Sequence, residues 1–408
     1  MWQDAPVTLQ IGPLQLGVPL VLAPMAGVTN MAFRRLCREQ ALSALPPGGP
    51  LPAPGGGTTA PAGLFVTEMV TSRALVERHP GSLRMTESDP TEFVRSVQLY
   101  GVDPATIARA IDFLVREDRA DHIDLNFGCP VPKVTRKGGG SALPWKRDLF
   151  AAIVTQAVAA AEAASRGRSH QVPVTVKMRM GIDDTHLTYV EAAQTAERAG
   201  VAAVALHART TEQYYSGAAR WEHVARLVEA VNIPVLGNGD IFAGDDAARL
   251  LAESGCAGVV VGRGCQGRPW LFADLVYALT GSEQRMRPHL RDVAAMIVRH
   301  AELLIPEFRS EEKAMREMRK HIGWYLKGFA VGGPQRRDLQ LVSTLAELRQ
   351  RLAALELDQV FPPGAEGPRG RAGTAKTPHL PHGWLASREL AATDRRLLLG
   401  AEVDTSGG

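Results

Sequence analysis

The chain has 408 residues, 45% hydrophobic and 22% charged, a balance that supports a globular core and argues against a disordered or fibrous polymer. Its net charge of +3 is too small to mark a nucleic-acid binder by itself; with no run of about 18 apolar residues and no basic leader, the expected location is the cytoplasm, without membrane contact. The four cysteines, Cys37, Cys129, Cys256 and Cys265, form neither a CxxC pair nor a ligand spacing, so neither a disulfide framework nor a metal site is expected.

Short apolar runs ending in glycine or a polar residue alternate with alanine-rich amphipathic stretches, the pattern of parallel strands each followed by a crossover helix. In chain order the strands are LVLAPM near 21, LFVTEMV near 64, RSVQLYG near 95, HIDLNFG near 122, VTVKMRMG near 174, AVALHART near 203, PVLGNGD near 234 and GVVVGRG near 258. Eight such units predict an α/β fold, a TIM (β/α)8 barrel over residues 1–285, with its chemistry at the strand ends. An open doubly wound sheet would call for a glycine-rich turn after the first strand, and APMAGVTN is not GxGxxG. A Pro/Gly-rich insertion over about 42–63 reads as a mobile surface loop. The runs RDVAAMIVRHAELLI, EEKAMREMRKHIGWYLKGF and LVSTLAELRQRLAAL predict a smaller all-helical domain over 286–360. Residues 361–408 are expected to be disordered apart from one short helix around SRELAATDRRLLLG.

The seventh and eighth strands end in GNGD (Gly237 to Asp240) and GRG (Gly262 to Gly264), adjacent glycine loops at the corner where barrels cradle a phosphate, with Arg263 to add charge. One such loop reads equally as a structural turn; two side by side favour a phosphorylated ligand. Gln98, Lys177, Arg179, His207 and Arg209 stand at other strand ends. They offer donors to a planar heterocycle and positive charge to an anion forming on it, which suits a reduced flavin. The competing readings are a snorkelled Lys177 and a core His207, but KMRMG continues a buried strand and His207 has Arg209 beside it.

Cys129, in NFGCP, falls at the end of the fourth strand on a Gly-Cys-Pro turn, a backbone that an inert core cysteine has no need of. With no local histidine or aspartate to activate it as a nucleophile, and a free thiol pKa of about 8.5, it reads as a general acid. Cys37, Cys256 and Cys265 read as packing residues. From Arg309 to Arg337 eight Lys/Arg face three Glu, a balance of +5 that leaves −2 for the rest of the chain. Arg316, Arg319, Lys320 and Lys327 recur on one face of a helix whose other face carries Met315, Met318, Ile322, Tyr325 and Phe329. A solvated charged face is the plain reading; beside a flavin barrel, a polyanionic substrate is the sharper one.

Taken together, APMAGVTN, TEMV, QLYG, IDLNFGCP, KMRMGID, HARTTEQYYSG, GNGDI, VGRGCQGRPW and RKHIGWYLKG resemble the tRNA-dihydrouridine synthases, most closely the bacterial B type, over about residues 12–340. The resemblance implies FMN in the barrel, NADPH as reductant, tRNA as partner, and uracil reduction by hydride from flavin N5 to C6 and a proton from Cys129 to C5. It implies FMN contacts at Pro24, Met25, Ala26, Gln98, Lys177, His207, Asn238, Gly239, Asp240, Gly262 and Arg263. It implies uracil-side groups at Asn126, Arg179 and Arg209, with Arg316, Arg319, Lys320 and Lys327 facing tRNA. A monomer is expected. The rival readings are a free-pyrimidine reductase related to dihydroorotate dehydrogenase and an RNA-binding protein with a vestigial barrel.

Overall fold

A computed structural model describes residues 8–48, 51–370, 373–391 and 398. The strands, in chain order, are β1 (Leu9–Ile11), β2 (Leu14–Leu16), β3 (Leu20–Leu22), β4 (Thr59–Ala60), β5 (Leu64–Thr71), β6 (Ser96–Tyr100), β7 (His122–Phe127), β8 (Val174–Arg179), β9 (Ala203–His207), β10 (Val235–Asn238) and β11 (Gly258–Val261). Eight of them, β3 and β5 to β11, close into a parallel barrel, and these are the eight runs read from the sequence. Their apolar side chains pack outward against the crossover helices in one continuous core, while Val21, Leu64, Val66, Ala203, Leu236 and Val260 fill part of the interior.

Periodicity alone did not reveal the barrel floor. The β1–β2 hairpin pairs antiparallel, β4 adds in parallel, and Leu9, Ile11, Leu14 and Leu16 plug the N-terminal end of the barrel. The insertion over 42–63, expected as a mobile loop, therefore ends in a strand: Thr59 and Ala60 complete the floor, and Gly55 donates its N–H to the Glu92 carbonyl at 2.8 Å. A three-residue strand is below the length at which alternation can be told from chance.

Helices Leu290–Phe308, Glu311–Tyr325, Gly333–Leu339 and Leu345–Ala353 pack around a second apolar cluster that takes in Trp270 and Ala32 from the barrel. Ser310 caps Glu311–Tyr325 by accepting the Lys313 N–H at 3.3 Å, with Glu311 and Glu312 in the first turn, where negative charge suits the helix dipole. Met315, Met318, Ile322, Tyr325 and Phe329 are buried, as the stripe predicted. The contacts that fix this unit over the barrel mouth include a helix cap and a close approach of two backbones. The Glu307 carboxylate accepts the N–H groups of Met31 and Ala32 at 3.1 and 2.8 Å, capping the first barrel helix, Met31–Ser43. Gly267, at φ +61°, lies so close under Trp324 that a β-carbon there would collide with the Trp324 main chain.

The stretch past Phe361, expected to be disordered, carries little regular structure among its described residues, yet 361–370 and 373–391 lie over the surface and Trp384 is buried, at 1% exposure. Trp384, with Leu380, Leu385, Leu390 and Leu398, packs on the barrel core, a set of anchors that composition hides behind the surrounding Pro, Gly and Ser. Most of the helix expected around SRELAATDRRLLLG lies outside the described residues.

Gly267→Ala should cost about 2 kcal/mol or more, since the residue would need both a left-handed backbone and a shift of the Trp324 main chain. Thermal unfolding followed by circular dichroism checks this, and an unchanged midpoint would contradict the close interdomain contact.

Candidate active site

Register stacks the polar side chains in layers. Pairing sets Gln98 level with Asp124 and Asp124 with Thr175, then Asn126 with Lys177, and near the top Arg179 with His207 and His207 with Asn238. Alternate residues of a strand share a face, so His122, Asp124 and Asn126 of β7 all point inward. There the His122 ring stands 2.8 Å from the Ser96 hydroxyl and 3.0 Å from that of Thr175.

From Asp124 a directional chain of hydrogen bonds climbs to the mouth. The carboxylate accepts from the Thr175 hydroxyl and from Gln98 Nε2, both at 2.7 Å. That turns Gln98 Oε1 toward Asn126, whose Nδ2 donates to it at 2.9 Å. Asn126 Oδ1 is left to accept the backbone N–H groups of Gly128 and Cys129 at 3.1 and 3.0 Å. A carboxylate offers acceptors only, so it sets both amide orientations above it. Burial raises the Asp124 carboxyl to about 6, opposed by its bonds to Thr175 and Gln98 and by Lys177.

Above this chain a cavity of about 460 Å³ opens at the strand ends, next to a recess of about 80 Å³; Pro24, Met25, Lys177, His207, Tyr215 and Arg263 belong to both. Ala26, Gln98, Asn126, Cys129 and Arg179 line the larger space, and Asn238, Gly239, Asp240 and Gly262 line the recess. All eleven residues expected around FMN thus border one connected chamber. Cys129 stands on its wall, and burial raises its thiol pKa, against the pull of the Arg179 and Lys177 charges, so the sulfur is protonated at neutral pH.

The chamber gathers positive charge. Lys177 donates to Asn238 Oδ1 at 3.1 Å and is lowered to about 8 by burial and then by Arg179. Burial lowers Arg179 to about 10. Burial, with Arg179, Lys177, Arg209 and Arg263 around it, pushes His207 well below its ordinary value, so the ring is neutral at pH 7. Among the described lining residues Asp240 is the only carboxylate, and it is held by Arg209 at 2.8 and 2.7 Å. Arg209 Nη1 is buried without a hydrogen-bond partner and would lie 3.7 Å from a β-carbon at Gly239. Crowded cations, with Arg263 beside the Gly239 and Gly262 loops, fit a phosphate.

Several of the expected site residues are bonded to the protein itself. Arg209 is behind the chamber wall, clamping the Ser216 and Gly217 carbonyls and Asp240. Asn126 spends its amide on Gln98 and on the Cys129 loop. Arg179 lines the cavity but donates to the carbonyls of Gly128, Thr210 and Tyr214, tying the Cys129 loop to the loop after β9. On helix Glu311–Tyr325, Arg316 and Lys320 are exposed and paired with Glu312 and Glu317 of the same helix. Arg319 is half-buried, reaching toward the Leu341 and Val342 carbonyls, and Lys327 donates to the Pro368 carbonyl at 2.5 Å. Cys37, Cys256 and Cys265 are buried, as expected of packing residues.

Sequence reasoning missed Asp124, although it shares a strand face with Asn126. It also missed Tyr215, over which Arg263 lies 4.3 Å from the ring centroid, and Gln266, Trp324 and Gly370, which complete the cavity wall. The first two were legible as a period-2 carboxylate and an aromatic pair in a basic loop. The others reach the mouth only through tertiary packing.

Gln98→Glu should set a second carboxylate against Asp124 and destabilise the protein at about pH 7.5. One of the pair must then hold a proton, so the loss relative to wild type should shrink at about pH 5. Equal losses in melts at both values would contradict the buried chain.

The dihydrouridine synthase family profile matches residues 21–359. The chain is 51% identical over 401 residues to a probable tRNA-dihydrouridine synthase of Mycobacterium tuberculosis, covering 98% of this chain and 97% of the relative. It is 38% identical over 319 residues to tRNA-dihydrouridine synthase B of Pseudomonas aeruginosa, covering 78% of this chain and 86% of the relative. With a barrel mouth that presents a protonated cysteine among buried cations, and with relatives this similar over nearly its whole length, the chain belongs to the dihydrouridine synthase family.

Proposed function

We propose that the protein reduces uridine in tRNA to 5,6-dihydrouridine, using FMN held in the chamber and NADPH as reductant. The observation that carries this reading is the protonated Cys129 thiol sharing one chamber with Lys177, Arg179, Arg263 and neutral His207. The glycine loops at Gly239 and Gly262, with Arg263, would hold the FMN phosphate. Lys177 would face the edge of the ring system that becomes anionic on reduction. FMN, when bound, supplies the hydride that adds to C6 of uracil.

The chain's own contribution is the proton and the charge around it. As C6 gains a hydride, negative charge spreads over the C5–C4–O4 enolate, and Cys129 delivers its proton to C5. The thiolate left behind is stabilised by Lys177 and Arg179 and regains a proton from solvent. Asn126 and Arg179 hold the loop so that the sulfur faces the chamber, and Tyr215 offers an aromatic face beside it. The uridine must leave its stack to reach this point, which costs a few kcal/mol and is least expensive in a tRNA loop. The exposed cations Lys313, Arg316 and Lys320 offset that cost by holding the phosphate backbone.

Unmodified tRNA incubated with the flavin-loaded protein and NADPH should yield dihydrouridine on nucleoside mass spectrometry. Turnover of free uracil or orotate with the tRNA unchanged, or a chain that never takes up FMN, would sink the proposal. Lys177→Ala should retain flavin less tightly, read from the absorbance that survives gel filtration. Arg316→Glu combined with Lys320→Glu should weaken tRNA binding and lower the slope of log affinity against log salt by about one for each phosphate the helix no longer neutralises, with the flavin spectrum unaltered.

A further inference from the structure

The segment beyond the helical domain lies along the rim of the chamber as a strap. Gly370 stands on the cavity wall beside Gln266, and Lys376 donates its N–H to the Glu212 carbonyl at 2.8 Å in the loop after β9. The strap then reaches the loop after β7, where Trp384 is buried and its indole N–H donates to the Ala142 carbonyl at 2.9 Å. The ring lies flush on Gly138: a β-carbon there, at φ +72°, would fall 2.6 Å from Trp384 Cη2. Lys146 covers the face of the indole, its ammonium 4.8 Å from the ring centroid and donating to the Ser387 and Glu389 carbonyls at 3.0 and 3.2 Å. Arg388 finishes the anchor by donating to the Trp145 carbonyl at 3.0 Å and pairing with Glu191 at 2.6 Å.

The other side of the same turn carries Cys129. Ser141 donates both its N–H and its hydroxyl to the Cys129 carbonyl, at 3.0 and 3.1 Å. Gly140, at φ +55°, packs so closely that a β-carbon would stand 2.5 Å from that oxygen. The Gly138–Ser141 turn is thus held between an indole from the strap and the backbone of the thiol residue. Asn126 fixes the Cys129 N–H from within the barrel, and this turn fixes its carbonyl from outside.

We propose that Trp384 is a positioning residue for Cys129: the strap's indole holds the Gly138–Ser141 turn in place, and the turn holds the thiol over the chamber. The inference rests on the reading of Cys129 as proton donor. The hydrogen bond, the ammonium contact and the glycine contact of Trp384 fall on Ala142, Lys146 and Gly138, none of which lines the chamber.

The test compares Trp384→Ala and Trp384→Phe with wild type, full-length and flavin-loaded. After chemical reduction of the flavin, its reoxidation by tRNA is followed in a single turnover, and the rate at which iodoacetamide alkylates Cys129 is measured by mass spectrometry. Trp384→Ala should reoxidise about 10- to 100-fold more slowly, the effect of a displacement near 1 Å. It should also alkylate several-fold faster, with NADPH-driven flavin reduction and tRNA affinity unaltered. Trp384→Phe, which keeps the ring on Gly138 but loses the bond to Ala142, should fall between; if the alanine variant does not fold, this variant decides alone. Wild-type reoxidation and alkylation rates in the variants would overturn the proposal, as would a parallel loss of flavin reduction, tRNA affinity and reoxidation. If wild-type flavin is not reoxidised by tRNA, the uridine-reduction reading fails, and the alkylation comparison still decides whether the strap seats the thiol.

Discussion

The chamber depends on one buried carboxylate. Asp124 has only acceptors to offer, so Gln98 must turn its amide nitrogen inward, Asn126 must turn its own toward Gln98, and the remaining Asn126 oxygen receives the Gly128 and Cys129 N–H groups. Reversing either amide would set acceptor against acceptor on one side and donor against donor on the other, at a cost of about 1–3 kcal/mol for each buried unmatched group. The backbone that carries the thiol is therefore placed by hydrogen-bond polarity propagated along β6 and β7, and the Val131 main chain adds a bond to the sulfur itself. Thr175 and His122 extend the same network to β8 and lock the three strands in register.

Electrostatics work in the opposite sense at the top of the barrel. Burial depresses Lys177, Arg179 and Arg263, with Arg179 adding to the effect on Lys177 and Arg209 to that on the two arginines, and His207 is neutral through burial and the cations around it. Such a cluster is unfavourable by itself and is relieved by an anion, so under the proposed function the binding of a phosphorylated, reducible ring and the stabilisation of charge on it would draw on the same groups. The cations also favour a transient thiolate at Cys129, while burial keeps the resting thiol protonated. These two opposed influences on one sulfur are what a proton donor that must be recharged requires.

All eight barrel strands were legible because each is an apolar run closed by a polar strand end. The residues at those ends line the chamber, with Arg209 set behind its wall. What stayed hidden has a physical reason in each case. The β1–β2 hairpin and β4 are too short for periodicity to register. Asp124 sits at an inward position where an apolar residue is the usual occupant. The strap reads as a disordered tail because its anchoring rests on scattered contacts, one indole, a few leucines against the core and the Arg388–Glu191 pair, that composition does not encode. Lys327 and Arg319 looked like free cations on a helical face, but the strap and the 341–342 turn lie against them.

The account stands on Cys129 delivering a proton to the uracil ring, and a single-turnover comparison of Cys129→Ala with wild type tests it most directly. With the flavin loaded and reduced beforehand, tRNA should reoxidise the variant about 100-fold or more slowly than wild type, while flavin retention and tRNA binding stay the same. A variant reoxidised at close to the wild-type rate at neutral pH would show that the proton comes from elsewhere.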